Sequence, residues 1–169
     1  MIVAVAASLE PWRKEKAPPA RVRYGAISIL LLVFVQILSG ALVAKTNAGL
    51  TFNTWPLMDG NFIPPMASLL AVTPGWKNLF ENVLTVQFEH RMLAYALFAL
   101  AAWHAFDTGR NTRGSAFGAS ILLALMTAQT VLGVLTLLWA APLALALLHQ
   151  AGAIAVLVAA TRHLVKLQI

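Results

Sequence analysis

The sequence predicts an all-α fold: a polytopic membrane four-helix bundle made of two helical hairpins. Three observations carry that prediction. The chain is 60% hydrophobic and 11% charged over 169 residues, whereas a soluble domain carries roughly 25% charged residues. Its apolar residues gather into four runs, each near the length of about 20 residues that a helix needs to cross a bilayer. The first and third runs share a pattern, Gln36-x-x-x-Gly40 and Gln129-x-x-x-Gly133, and a histidine stands near the start of the run that follows each. Two similar hairpins packed together would give a bundle in which the second and fourth spans run the same way. Glycines in the first and third spans would let helices approach closely, and the glutamines would hydrogen-bond between helices.

The elements follow in order. Residues 1–9 are expected to be the remnant of an upstream helix, because no basic residue precedes their apolar stretch as it would in a signal peptide. Residues 10–23, with Pro18 and Pro19, form a cytoplasmic linker. The four-span unit then occupies 24–169. Its first span covers about 24–44. A non-helical loop at 45–80 follows, broken by Pro56, Pro64, Pro65 and Pro74; loops of this length are often functional lids. The second span covers about 82–107, and a short basic turn, TGRNTRGS, leads to the third at 116–139. Ala140-Ala141-Pro142 makes a tight turn, with proline suited to the first turn of the fourth helix.

Charge sets the expected orientation. Arg13, Lys14, Lys16, Arg21, Arg23, Arg110, Arg113, Arg162 and Lys166 share one face, against Lys45, Lys77 and Arg91 on the other. The first face is therefore cytoplasmic, with both termini, and the 45–80 loop lies outside. The formal charge of +6 is explained by those loops and requires no nucleic acid. The absence of cysteine excludes thiolate-held metal, c-type heme attachment and disulfides.

Ionisable groups inside a membrane run usually face the bundle interior and mark function. Glu89, His90 and Arg91 stand together near the start of the second span, and His149 near the start of the fourth. His90 lies about 12 Å along its helix from Asn82 and His149 about 10 Å from Pro142, at 1.5 Å per residue. Two imidazoles at one depth on parallel helices fit the axial ligands of one b-type heme in a bundle interior. Arg91, Lys45 and Lys77 are possible partners for its propionates. His104 and His163 each follow by fourteen residues, a spacing resembling diheme cytochromes b. They are expected to meet water and headgroups at the cytoplasmic helix ends, so one heme b per chain is predicted.

Three strings, GALVAKTNAGLTFNTWPLMDGNFIP (40–64), NLFENVLTVQFEHRMLAY (78–95) and LALLHQAGA (145–153), resemble the C-terminal half of the heme A synthase family, NTWPLMDG being the most specific. The resemblance runs from Tyr24 onward. It implies an eight-span enzyme of two similar halves in a bacterial inner (plasma) membrane. The C-terminal half holds a heme b on residues that map to His90 and His149. The N-terminal half oxidises the C8 methyl of heme O to a formyl group, giving heme A for cytochrome oxidase assembly. The N-terminal histidine pair and its catalytic glutamate have no counterpart in this sequence. Glu81, Glu89 and Asp59, the acidic residues of the outer side, do not match that glutamate, so no catalytic residue is assigned. Such a unit, a truncated product or fragment, would need a second half or a homodimer to act. Competing readings are a b-type cytochrome that carries electrons without substrate chemistry, and a heme-free membrane subunit.

Overall fold

The computed structural model describes residues 18–167. Four long helices account for most of them: α1 (Ala20–Lys45), α2 (Val83–Asn111), α3 (Arg113–Leu138) and α4 (Leu143–Lys166). No strand forms among the described residues; Met58 and Asn61 make one isolated bridge. Three of the helices, α1, α3 and α4, are long and apolar enough to cross a membrane. The fourth, α2, has the length, with 29 residues, but carries Glu89, Arg91, Asp107 and Arg110.

Each helix packs on two neighbours, α1 on α2 and α4, and α3 on α2 and α4. The histidine-bearing helices α2 and α4 therefore stand diagonally across the bundle. The core between them is one layer, with two residues from each helix: Ile29 and Val33, Leu97 and Ala101, Leu122 and Met126, Val156 and Ala160. Each pair is spaced four apart, the spacing that puts side chains on one helical face. The same offset of 93 residues carries Ile29 to Leu122 and Val33 to Met126, and an offset of 59 carries Leu97 to Val156 and Ala101 to Ala160. The difference of 34 residues is extra connection in the first half of the repeat.

That connection is ordered by its own hydrogen bonds. Asn82 caps α2, its side-chain oxygen accepting from the backbone N–H of Leu84 (3.0 Å) and Thr85 (3.4 Å). Its amide nitrogen donates to the Ser68 carbonyl (2.8 Å) and to Asn78 Oδ1 (2.9 Å). Asn78 in turn closes the turn from Val72 to Gly75. Asn53 donates to the Leu137 carbonyl at 2.8 Å, tying the loop to the last turn of α3. Asp59 and Gly60 take φ of 52° and 80°, the left-handed values that a tight Asp-Gly turn requires.

Three expectations need correction. The first helix begins at Ala20, so the last four residues assigned to the linker are its opening turn; residues 1–17 lie outside the described residues. The basic turn is almost entirely helical: α2 runs to Asn111 and α3 starts at Arg113, with Thr112 alone between them. Thr112 leaves the helical region at φ −145°, ψ 82°, and one extended residue is enough to reverse the chain. The 45–80 loop is also not wholly irregular. It contains single helical turns at Ala48–Leu50, Met66–Leu69 and Gly75–Lys77, with Asn78–Glu81 adjoining α2.

Asn82→Ala removes a helix cap, usually about 0.5–2 kcal/mol, together with the bonds to Ser68 and Asn78. The expected result is a lower unfolding midpoint in detergent and faster proteolysis of the 66–80 segment. An unchanged midpoint would show that the cap does not hold the loop.

Candidate functional site

The histidines occupy two layers on either side of the apolar core layer, and each layer draws one residue from every helix. The layer nearer the long loop contains Gly40, His90, Gly133 and His149. His90 on α2 is held by α1. Gln36 Nε2 donates to the His90 carbonyl (3.1 Å) and lies 3.2 Å from ring Nδ1. Ser39 Oγ is also 3.2 Å from that nitrogen. A Cβ placed on Gly40 would come within 3.3 Å of His90 Cε1. The second half repeats the arrangement. Gln129 Nε2 on α3 donates to the His149 carbonyl at 2.7 Å. A Cβ on Gly133 would lie 2.8 Å from His149 Cε1. His149 Nδ1 is buried with no hydrogen-bond partner.

The glutamines therefore bond across helices as expected, each bracing the backbone that carries a histidine. The glycines do something the sequence did not reveal. Their missing side chains make seats for imidazoles, rather than only bringing helix backbones together. Gly25 and Gly118 do the same in the other layer, and sequence reasoning overlooked both. A signal was present: they stand eleven residues before Gln36 and Gln129, at the same offset of 93. Ser39 was overlooked as well, and no repeat marks it, since position 132 is leucine.

The expectation of a solvent contact for His104 and His163 is overturned. They are 1% and 3% exposed, with their Nε2 atoms 2.8 Å apart. α2 continues about two turns past His104, to Asn111; His163 does lie in the last turn of α4, which ends at Lys166, yet its ring is buried. Nearby, Arg21 grips Asp107 with two contacts, Nη2 to Oδ1 at 2.9 Å and Nε to Oδ2 at 3.1 Å.

Arg91 is buried, and its guanidinium serves the loop. Nη1 donates to the carbonyls of Thr54 (2.9 Å) and Leu57 (3.3 Å), and Nη2 to Phe52 (2.7 Å) and to Gln87 Oε1 (3.1 Å). All four Nη hydrogens are thereby used, and Nε alone lacks a partner. A buried cation is costly unless its donors are satisfied; here Thr54 and Leu57 of the NTWPLMDG stretch, Phe52 just before it and Gln87 of α2 supply the acceptors. Phe62 stacks on Tyr95 one turn further along α2, ring centroids 6.2 Å apart. Lys77 sits 3.8 Å from Glu81, and Lys45 is exposed at the end of α1. Glu89 lines a cleft of about 290 Å³ between α1 and α2, with Ser39, Leu42 and Phe80. No group of three or more metal-binding side chains forms among the described residues.

Comparison with known proteins places this architecture. Residues 1–161 match the family model COX15-CtaA, described as cytochrome oxidase assembly protein. A "Heme A synthase" of Bradyrhizobium diazoefficiens is 56% identical over 146 residues, 86% of this chain and 41% of that protein. A protein of the same name from Azorhizobium caulinodans is 52% identical over 162 residues, 96% of this chain and 46% of that one. Another from Rhodopseudomonas palustris is 53% identical over 149 residues, 88% and 41% respectively. The chain thus spans less than half the length of these curated relatives. No solved structure matches. With a family model covering nearly all of it, the chain belongs to the COX15-CtaA family of cytochrome oxidase assembly proteins.

Proposed function

We propose that the chain is the heme-b-holding half of a heme A synthase, an integral inner-membrane unit of two helical hairpins, α1–α2 and α3–α4, in which all four long helices span the bilayer. The observation that carries the reading is the loop-side layer. Two imidazoles stand on diagonal, parallel helices, each seated against a glycine and each braced through its backbone by a glutamine. The donor set suits a heme: two neutral nitrogen ligands from a bundle interior are what a low-spin b-type heme takes. His149 supports the fit, because a buried polar atom without a partner calls for an explanation and an absent ligand supplies one.

His90 and His149 would hold the group, which supplies one-electron redox chemistry when bound. The residues around it do the positioning. The bonds from Gln36 and Gln129 to the two histidine carbonyls fix the local backbone. Gly40 and Gly133 leave room where any side chain would press on a ring. Arg91 closes the layer from the loop side: it pins Phe52, Thr54 and Leu57 over the bundle end and excludes water. Its Nε, with Lys45 and Lys77, gives the propionates a positive neighbourhood. The full conversion of heme O to heme A belongs to an assembly with a second half or a second copy. The carbon oxidised is the C8 methyl, and no side chain of this chain is assigned to that step.

Two measurements test the reading. Purified protein should show a reduced-minus-oxidised spectrum of bis-histidine heme b, and His90→Ala or His149→Ala should abolish that signal at unchanged folding. Full retention in either variant defeats the ligand assignment. Co-expression with the N-terminal half of a full-length relative should convert added heme O to heme A, read by chromatography. Heme binding without conversion would favour the electron-carrier reading.

Orientation is tested separately. The bias of Lys and Arg puts the long loop outside, so a cysteine replacing the exposed Asn61 should react with an impermeant reagent in intact cells. Reaction only after lysis would invert the topology.

A further inference from the structure

The layer remote from the long loop repeats the histidine-and-glycine pattern of the loop-side layer, without its glutamine braces, and lacks an assigned role. His104 on α2 and His163 on α4 face each other across the bundle, Nε2 to Nε2 at 2.8 Å, with ring planes 80° apart. A glycine on each remaining helix faces a ring. A Cβ on Gly25 would approach His104 Nδ1 to 2.8 Å, and one on Gly118 would approach His163 Nδ1 to 2.9 Å. Both Nδ1 atoms are buried and lack hydrogen-bond partners among the described residues. Glycines are fifteen residues apart between layers in α1 and in α3, and histidines fourteen apart in α2 and in α4. The two layers are thus related by one step along the bundle, roughly 21 Å at 1.5 Å per residue.

Packing alone does not account for this layer. One N–H···N bond between the rings leaves two buried nitrogens orphaned, which apolar side chains at both positions would avoid. A bare metal ion lacks ligands. Among the described residues no third histidine, cysteine, aspartate or glutamate joins the pair, and Asp107 is engaged by Arg21 and Asn111. A metalloporphyrin brings its own four equatorial nitrogens and needs only two axial ones. Beside the pair, a cleft of about 510 Å³ is lined by Gly118, Phe117, Ile121 and His163, with Arg162 and Lys166 among its walls. That volume lies within the range of about 300–1,000 Å³ common for ligand pockets. Apolar walls with two cations suit a flat apolar ring bearing carboxylates.

We propose that His104 and His163 are the axial ligands of a second b-type heme, at the end of the bundle remote from the long loop, with Gly25 and Gly118 seating its two ligand rings and Arg162 and Lys166 facing its propionates. Zinc–imidazole bonds run about 2.0–2.1 Å, so by that measure nitrogens now 2.8 Å apart would part by about 1.2–1.4 Å to hold a metal between them. This site stands on its own residues and does not depend on occupancy of the loop-side layer.

The test is heme stoichiometry on the full chain, purified in detergent and titrated with hemin until binding saturates. Pyridine hemochrome should give two hemes per chain, falling to one in His104→Leu and in His163→Leu. The heme left in each variant must vanish with His90→Leu, which also shows that the bundle has folded. His163→Gly should bind the second heme again when imidazole is added, and Gly118→Val should lose that heme alone. Saturation at one heme that survives His104→Leu and His163→Leu overturns the proposal. So does a second heme unaffected by those variants. A single heme lost in His104→Leu but kept in His90→Leu would sustain this site and refute the loop-side assignment instead.

Discussion

The fold depends on imidazole rings packed against glycines. At four places a histidine on α2 or α4 lies against the missing side chain of a glycine on α1 or α3. In a bilayer, helices gain little from burying apolar surface, since lipid is as apolar as leucine, and close van der Waals fit has to hold them instead. Small residues are therefore where helices meet. Here the space vacated by glycine is taken by a ring from the neighbouring helix, so the contact that joins two helices also aims a histidine. Substitution at a glycine would disturb packing and ring position together, and the two effects share one cause.

The long loop meets a second constraint. Backbone polar groups near the apolar layer must be satisfied within the protein. Three α2 side chains do much of this work: Gln87 donates to Ala48, Arg91 to Phe52, Thr54 and Leu57, and Thr85 to Leu69, while Tyr95 adds a stack on Phe62. Gln87, Arg91 and Tyr95 recur every four residues, so one face of α2 is devoted to the loop, while Thr85 reaches it from another side of the first turn. The loop's outward surface is different in kind, with Trp55, Phe62, Ile63, Met66 and Trp76 exposed. Of these, Trp55 and Trp76 are amphipathic aromatics of the kind expected at the level of lipid headgroups.

What was legible in the sequence followed from long apolar runs and strong punctuation. Asn82 before α2 and Pro142 before α4 mark helix starts by local chemistry, and both boundaries match the structure. The Gln–Gly repeat was legible because two matched residues share a spacing. The Thr112 reversal was not, because glycine and polar residues in TGRNTRGS look like a loop when read alone, and only packing of α2 on α3 keeps them helical. The burial of His104 and His163 was hidden for a related reason. Their flanking residues, Trp103, Arg162 and Lys166, are interfacial in character, yet these point outward while the histidines point to the bundle axis. Nearness to a helix end along the chain is a poor guide to depth inside a bundle. The seats at Gly25 and Gly118 could emerge only once the facing residues were known.

Thr112, a single extended residue, is the whole covalent bridge between the two halves of the repeat. Every histidine pair takes one ring from each side of it. A chain severed there would become a two-piece assembly, held by the shared apolar layer, by loop contacts such as Asn53 with Leu137, and by whatever the paired rings grasp in common. Its dissociation would then depend on dilution and on ligand supply. In such a split form the prosthetic group would act as glue between peptides, and holding together would itself report occupancy.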